Sequence, residues 1–202
     1  FLSGPISNRV GWVSSWNTRC GIAGYGGYLL ADCDLDVTVY ASHRSVDEEL
    51  DRLLLPADGP NVLRCWNAGS GDDLAGLREA LFADLPGTVV IQFNFGFYEF
   101  AALATLIDAL KNAGVVVLVV FHSTADPPQL PERRLEDLRP VLARCDRLLA
   151  HSPQDLNQLK AIGLTHNTAL LPHGVIDTFT NAVPSLHMAR ADDAMFRIAS
   201  FG

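Results

Sequence analysis

Positive charge is scarce in this sequence, and lysine is almost missing from it. The 202 residues include 15 lysines and arginines against 23 aspartates and glutamates, a formal net charge of −8, and Lys111 and Lys160 are the only lysines. A general nucleic-acid binder needs a basic face, and a polybasic membrane anchor needs a dense block of basic residues. The composition therefore argues against both classes of protein.

Cysteines and long apolar runs are scarce as well. The four cysteines, Cys20, Cys33, Cys65 and Cys145, form no C-x-x-C pair, which argues against a disulfide framework or a zinc site and predicts reduced thiols. The longest apolar run, residues 115–121, is too short to span a bilayer, and the first residues lack the pattern of a signal peptide. We therefore expect a cytoplasmic protein.

What the sequence does contain is a regular alternation of short apolar segments and amphipathic helical segments. Strands are predicted at 9–14, 36–40, 61–66, 88–93, 115–121, 147–151 and 168–171, and helices at 21–30, 46–55, 70–83, 98–113, 132–145 and 152–162. Strands separated by helices form a sheet with right-handed crossovers. The fold class predicted is α/β, with a doubly wound, mostly parallel, Rossmann-like sheet of about seven strands.

The periodicity weakens towards the end of the sequence. Residues 1–175 are predicted to form the Rossmann-like domain, residues 176–193 an interdomain linker, and residues 194–202 the first strand of a further domain. A terminal strand of that kind needs a partner sheet, which the preceding domain does not supply. We expect two domains in the complete protein, the second of them truncated in this sequence.

Histidines follow three consecutive predicted strands. His122, His151 and His173, three of the six histidines, lie at strand ends, and ligands bind beyond the carboxyl ends of the strands of an open parallel sheet. A neutral imidazole can donate to or accept from a sugar hydroxyl and tolerates a developing positive charge nearby. His122 is the preferred functional residue, His151 is expected only to pack, and His173 is equally consistent with either role.

A glycine-rich segment follows the first strand. Gly21 and Gly24 would let a ligand approach the backbone at a helix N-terminus, although their spacing does not fit G-x-G-x-x-G, and packing of the helix on a strand is the alternative role. Gly27, inside the helix, is expected to be a packing glycine. Arg19 would bind a phosphate or carboxylate, or form a surface salt bridge.

Five segments resemble the N-terminal half of bacterial sugar transferases of glycosyltransferase family 4, which have the GT-B fold. They are WVSSWNTRCGIA at 12–23, QFNFGF at 92–97, VFHST at 120–124, the stretch from AHS to LPHGV at 150–175, and IASFG at 198–202. The resemblance covers almost the whole chain, and the last two segments are the most specific.

This resemblance implies retaining transfer of a sugar from a nucleotide-sugar donor to a saccharide or lipid-linked acceptor. It implies no obligatory metal and no cofactor other than the donor substrate. The nucleotide and a pair of glutamates would belong to the protein's own C-terminal domain, so little activity is expected of this half alone. A lipid-linked acceptor would also bring peripheral contact with the inner face of the membrane.

The resemblance also assigns roles to individual residues. It makes His122 the catalytic residue, in contact with the donor sugar. Asn94 stands where relatives often carry an acid, so a charge-based role does not carry over. The remaining assignments place Gly21, Gly24 and His173 at the donor phosphates and sugar, and Arg19, Asn94 and Ser123 at the acceptor.

Two other functions stay open. One is a dinucleotide-binding dehydrogenase domain, in which Arg44 after the second strand would bind the 2′-phosphate of NADP. The other is a non-catalytic carbohydrate-binding or regulatory module that has the fold without the chemistry.

Overall fold

The structure is a computed structural model, and it describes residues 8–31, 33–45, 57–69 and 71–174. Phe1–Pro172 form one compact unit, and His173–Gly202 form a second, of which only His173 and Gly174 are among the described residues. The predicted helix at 46–55, the linker at 176–193 and the strand at 194–202 lie outside these ranges. The predicted division into domains therefore stays a prediction.

Strands and helices alternate along the first unit. The strands are β1 Val10–Ser14, β2 Val37–Ser42, β3 Val62–Trp66, β4 Thr88–Phe93, β5 Val116–Phe121, β6 Arg147–Ala150 and β7 Thr168–Leu170. The helices are α1 Gly21–Ala31, α2 Ala75–Asp84, α3 Phe100–Asn112, α4 Arg139–Leu142 and α5 Pro153–Ala161, with a 3₁₀ helix at Leu135–Leu138.

The strands form one seven-stranded sheet in the order β3-β2-β1-β4-β5-β6-β7, and every pair is parallel. The predicted Rossmann-like α/β fold class is confirmed. Strand β1 lies between β2 and β4, so the chain builds the sheet outwards from β1 in both directions. Such a reversal of strand order leaves a crevice at the carboxyl ends of the two central strands.

The two faces of the sheet have different cores. One face carries the main apolar cluster, in which Val13, Ile91, Phe93, Val119 and Phe121 are fully buried. The opposite face carries a smaller cluster of Trp12, Val39 and Ala41, against which Trp16 and Leu30 pack. Alternate residues of a strand point to opposite faces, so β1 and β2 each supply both clusters.

Helix α2 begins later than the sequence predicts, at Ala75 instead of position 70. The Asp72 carboxylate accepts a hydrogen bond from the Leu74 amide at 2.7 Å, and Asp73 accepts one from the Ala75 amide at 2.9 Å. Such local bonds compete with helix formation. Leu74 accordingly has a left-handed backbone, with φ of 55°, and no side-chain cap. Ser70, the first residue of the predicted helix, lies outside the described residues.

The segment predicted as one helix at 132–145 is broken into two short pieces. The 3₁₀ helix Leu135–Leu138 runs directly into α4, and Pro140 occupies the first turn of α4. Proline lacks an amide hydrogen and fits only the first turn of a helix. Pro140 therefore marks the start of the second piece.

The glycine of α1 that packs closely against its surroundings is Gly26, which the sequence does not single out. A Cβ atom built on Gly26 would lie 3.1 Å from Trp12 Nε1, whereas one built on Gly21, Gly24 or Gly27 meets nothing within 4 Å. The prediction that Gly27 is a packing glycine is wrong. Gly76 is the most restricted glycine, because its Cβ would lie 2.5 Å from the Cys65 carbonyl oxygen.

We therefore predict opposite effects for the same substitution in two helices. Gly76→Ala is expected to lower the free energy of unfolding by about 1–3 kcal/mol, because the methyl group collides with the backbone of β3. Gly27→Ala, in open space on α1, is expected to be neutral or to stabilise by up to about 1 kcal/mol through helix propensity. Urea unfolding of both variants measures the difference, and equal stabilities would contradict this packing of α2 on β3.

Candidate functional site

Polar side chains are buried where β1 and β4 end. Ser14 and Gln92 are both 0 % exposed, and Ser15 is 5 % exposed. Val13 pairs with Ile91, so Ser14 and Gln92, the next residue of each strand, are neighbours across the two central strands. The hydroxyl oxygens of Ser14 and Ser15 and the amide nitrogen of Gln92 have no hydrogen-bond partner within the described part of the chain. Unsatisfied buried polar atoms are rare and destabilising, so these atoms mark the crevice as a candidate ligand site.

Gln92 also contacts the histidine that the sequence singles out. His122 follows β5 directly, and its backbone amide donates to the Phe93 carbonyl at 3.2 Å, which extends the β4–β5 pairing by one residue. The His122 Nε2 atom lies 2.8 Å from Gln92 Oε1. The imidazole is therefore held at the carboxyl edge of the sheet, beside the buried polar atoms of β1 and β4.

Three rings from separate segments form a cluster at this edge. The ring centroids of His122 and His151 are 5.0 Å apart, and the Tyr25 ring of α1 lies 5.2 Å from His122 and 5.1 Å from His151. The Nδ1 atom of His151 donates to the Leu171 carbonyl at 2.7 Å. Burial raises the pKa of the Tyr25 phenol, so the phenol stays protonated at neutral pH.

Only part of this cluster is predicted by the sequence. His151 is expected only to pack, and it does pack, but against His122 and Tyr25. The contact between His122 and His151 could have been predicted, because each of these histidines follows a strand and the two strands, β5 and β6, are neighbours in the sheet. Tyr25 has no comparable signal in the sequence.

Helix α5 holds the loop that follows His122. Ser152 caps the helix: its hydroxyl accepts from the Asp155 amide at 3.1 Å and donates to the Asp155 carboxylate at 2.5 Å. The same carboxylate accepts from the Thr124 hydroxyl at 2.7 Å and from the Thr124 amide at 3.2 Å. Burial raises the pKa of Asp155, but these hydrogen bonds from Ser152 and Thr124 outweigh it, and the net pKa is lowered.

The loop after β4 is held by its own turn and by a buried arginine. Asn94 Oδ1 accepts from the Gly96 amide at 2.9 Å, so this side chain organises the turn that it begins. Arg133, 8 % exposed, donates to the carbonyls of Phe95 and Tyr98. These contacts give Asn94 a structural role at the edge of the site, and its predicted contact with an acceptor stays a prediction.

The other predicted site residues lie at the same edge of the sheet or on α1. Ser123 is half-buried between His122 and Thr124, and Gly21 and Gly24 are exposed on the first turns of α1, the helix that carries Tyr25. Arg19 is exposed in the loop before that helix. His173 belongs to the second unit, so its predicted role at the donor is untested.

Arg44 belongs to a network that ties the loops after β1 and β2 together. Arg64 donates to both carboxylate oxygens of Asp58, at 2.7 and 2.9 Å, and Arg44 and Asn17 contact the same carboxylate at 3.4 and 3.1 Å. Burial raises the pKa of Asp58, but its bonds to Arg64 and Asn17 and the two guanidinium charges lower it overall. The Arg44 side chain is 6 % exposed, which disfavours the alternative that it binds the 2′-phosphate of NADP.

The described residues include neither a cluster of metal-binding side chains nor a helix that could cross a membrane. Residues 8–31, 33–45, 57–69 and 71–174 contain no group of three or more histidine, cysteine, aspartate or glutamate side chains that could hold a metal ion. Within the same ranges, every helix is too short or too polar to cross a membrane.

Comparison with known proteins gives a match in structure and none in sequence. No protein-family model matches the sequence, and no curated protein is similar to it. The fold is similar to that of UDP-N-acetylglucosamine 2-epimerase from Rickettsia bellii, with a TM-score of 0.60 and 11% sequence identity. The alignment covers 83% of this chain and 45% of the epimerase, so the chain spans about half the length of that protein.

We predict that the Asp155 clamp stabilises the fold in a pH-dependent manner. A carboxylate whose pKa is lower in the folded than in the unfolded state stabilises above its unfolded pKa of about 3.9, and this contribution is lost as the pH falls through the folded pKa. Asp155→Asn should therefore unfold at lower urea concentration than the wild type at pH 7.

The difference between the unfolding midpoints of the two proteins should begin to narrow below about pH 4, where the unfolded chain takes up a proton at Asp155, and should be lost as the pH falls through the lower pKa of the folded carboxylate. The pKa values of Asp58 and Asp146 are lowered as well. Both carboxylates are present in both proteins, so their contributions to stability cancel in the comparison. A difference in unfolding midpoint that is constant from pH 7 to pH 3 would contradict the role of the ionised Asp155.

Proposed function

We propose that this chain is the acceptor-side half of a nucleotide-sugar enzyme of the GT-B type, and that the enzyme transfers a sugar with retention of configuration. The observation that carries the proposal is the set of buried polar atoms on Ser14, Ser15 and Gln92, next to the paired imidazoles of His122 and His151. Neutral hydroxyl, amide and imidazole groups are suited to binding sugar hydroxyls, since each can donate or accept a hydrogen bond.

The charges near this edge support a polar but neutral ligand surface. The carboxylate of Asp155 accepts from Ser152 and Thr124, and Arg133 is held by the carbonyls of Phe95 and Tyr98. These groups hold the loops after β4, β5 and β6 in place. The sugar would then lie against His122, and the donor phosphates would lie beside Gly21 and Gly24 at the start of α1.

Within this proposal, the other residues keep the roles that the sequence predicts. Gly21 and Gly24 approach the donor phosphates, His173 keeps its predicted role at the donor, and Arg19, Asn94 and Ser123 orient the acceptor. The open space above Gly21 and Gly24 supports such an approach, because nothing lies within 4 Å of a Cβ atom built there. No metal and no cofactor beyond the nucleotide sugar enters the proposed reaction.

The structural neighbour adds support of a coarser kind. The name of that protein describes it as an epimerase of UDP-N-acetylglucosamine, and this chain aligns with 45% of its length. The nucleotide would then bind to a second domain of this protein, and closure of the two domains would exclude water from the sugar. The acceptor would be a glycan or lipid-linked saccharide, met in the cytoplasm or at the inner face of the membrane.

A non-catalytic carbohydrate-binding module is the second candidate. The same buried polar atoms favour it, since a site that binds sugar hydroxyls need not perform chemistry. Turnover of the nucleotide sugar separates the two candidates: transfer to water or to an added saccharide supports the enzyme, and binding without turnover by the complete protein supports the module.

We predict that the 202-residue chain binds UDP-N-acetylglucosamine weakly and mainly through its sugar. Saturation-transfer difference NMR should show stronger saturation of the sugar protons than of the uracil protons. His122→Ala should weaken binding about five- to tenfold, the equivalent of one lost hydrogen bond of about 1 kcal/mol.

The control is His166→Ala, which removes an exposed imidazole at the opposite edge of the sheet, before β7. This variant should bind like the wild type. Unchanged binding in His122→Ala, or stronger saturation of the uracil than of the sugar, would contradict the proposed site.

A further inference from the structure

We propose that Gln92 is a positioning residue that fixes the tautomer of His122, so that His122 presents an unprotonated Nδ1 atom. The inference is motivated by one contact, the 2.8 Å distance between His122 Nε2 and Gln92 Oε1. An amide oxygen only accepts hydrogen bonds, so the proton of the neutral ring must lie on Nε2.

The position of Gln92 in the sheet makes this contact rigid. Strand β4 pairs with β1 on one side and with β5 on the other, and Gln92 is 0 % exposed near its end. The backbone of His122 is tied to the same strand through its bond to the Phe93 carbonyl at 3.2 Å. Both partners of the contact are therefore fixed by the β4–β5 ladder.

His151 is set to the opposite tautomer by a different partner. Its Nδ1 atom lies 2.7 Å from the Leu171 carbonyl, which can only accept, so the proton of this neutral ring lies on Nδ1. The edges and faces of the two imidazoles and of Tyr25 pack at centroid distances of 5.0 to 5.2 Å, which restricts rotation of the rings. The two neighbouring histidines thus carry complementary tautomers.

This arrangement gives His122 a defined chemical role, and that role rests on the proposed function. With its proton engaged by Gln92, the Nδ1 atom of the ring can accept a hydrogen bond and cannot donate one, so a sugar hydroxyl that meets this atom must be the donor. A residue that only filled space beside His122 would not impose this preference. The tautomer of His122 can be measured without any sugar. A wrong tautomer assignment is therefore distinguishable from a failure of the proposed function.

The test is ¹⁵N NMR of the imidazole rings in the complete chain at a pH where both rings are neutral. In the wild type, His122 should show a protonated Nε2 and an unprotonated Nδ1, and His151 the reverse. A protonated Nδ1 on His122 overturns the proposal directly, without any variant.

Two variants test whether Gln92 is the cause. In Gln92→Met, which removes the acceptor at similar volume, the His122 signals should shift towards a mixture of tautomers. In Gln92→Glu, whose carboxylate still accepts, Nε2 should remain protonated. His151 should keep its Nδ1 proton in both variants.

The matched control is Gln158→Met, which removes an amide from the neighbouring helix α5. Gln158 Oε1 lies 3.1 Å from the Thr124 hydroxyl, so this amide is next to the His122 loop but is bonded to another residue. The control should leave the His122 tautomer unchanged. An unchanged tautomer in Gln92→Met, or an equal shift in Gln158→Met, overturns the assignment of Gln92.

Discussion

The structure depends on one constraint, the parallel pairing of β1 with both β2 and β4. The chain adds strands first on one side of β1 and then on the other, so the loops after β1 and β4 lead away from each other. Between them lies the crevice where Ser14 and Gln92 are buried as neighbours. The Ser14 hydroxyl and the Gln92 amide nitrogen have no hydrogen-bond partner within the described part of the chain. These two buried atoms therefore mark a candidate ligand site at this point of the sheet.

Charged side chains around the crevice are paired or hydrogen-bonded within the protein. Arg64 and Asp58 form a two-point ion pair beside β3, and Asp155 is bonded to hydroxyl groups at the start of α5. The buried or clustered groups near the ends of β1, β4, β5 and β6 are hydroxyls, an amide and imidazoles, and the exposed charge of Arg19 lies in the loop after β1. Neutral groups of this kind can bind sugar hydroxyls with little cost of desolvating charge.

The sheet could be predicted from the sequence because its determinants are local. Apolar runs such as residues 115–121 predict buried strands, and the Ser152 cap with Pro153 predicts the start of α5. The start of α2 was predicted wrongly, because the Asp72 and Asp73 carboxylates bond to the nearby backbone in a way that composition does not reveal. The ring cluster could be predicted only in part: strand ends place His122 and His151, but the contact with Tyr25 depends on how α1 packs across the sheet.

If the ends of β1, β4, β5 and β6 form one sugar-binding site, one ligand should perturb all four of them. Mapping of backbone amide shifts in the ¹⁵N-labelled chain during titration with UDP-N-acetylglucosamine measures this. The shifts should concentrate at residues 14–18, 92–96, 122–124 and 151–152 and follow a single binding curve. Shifts concentrated at the opposite edge of the sheet, at Gly87, Val115 and Asn167, or no shifts at all, would contradict the single site.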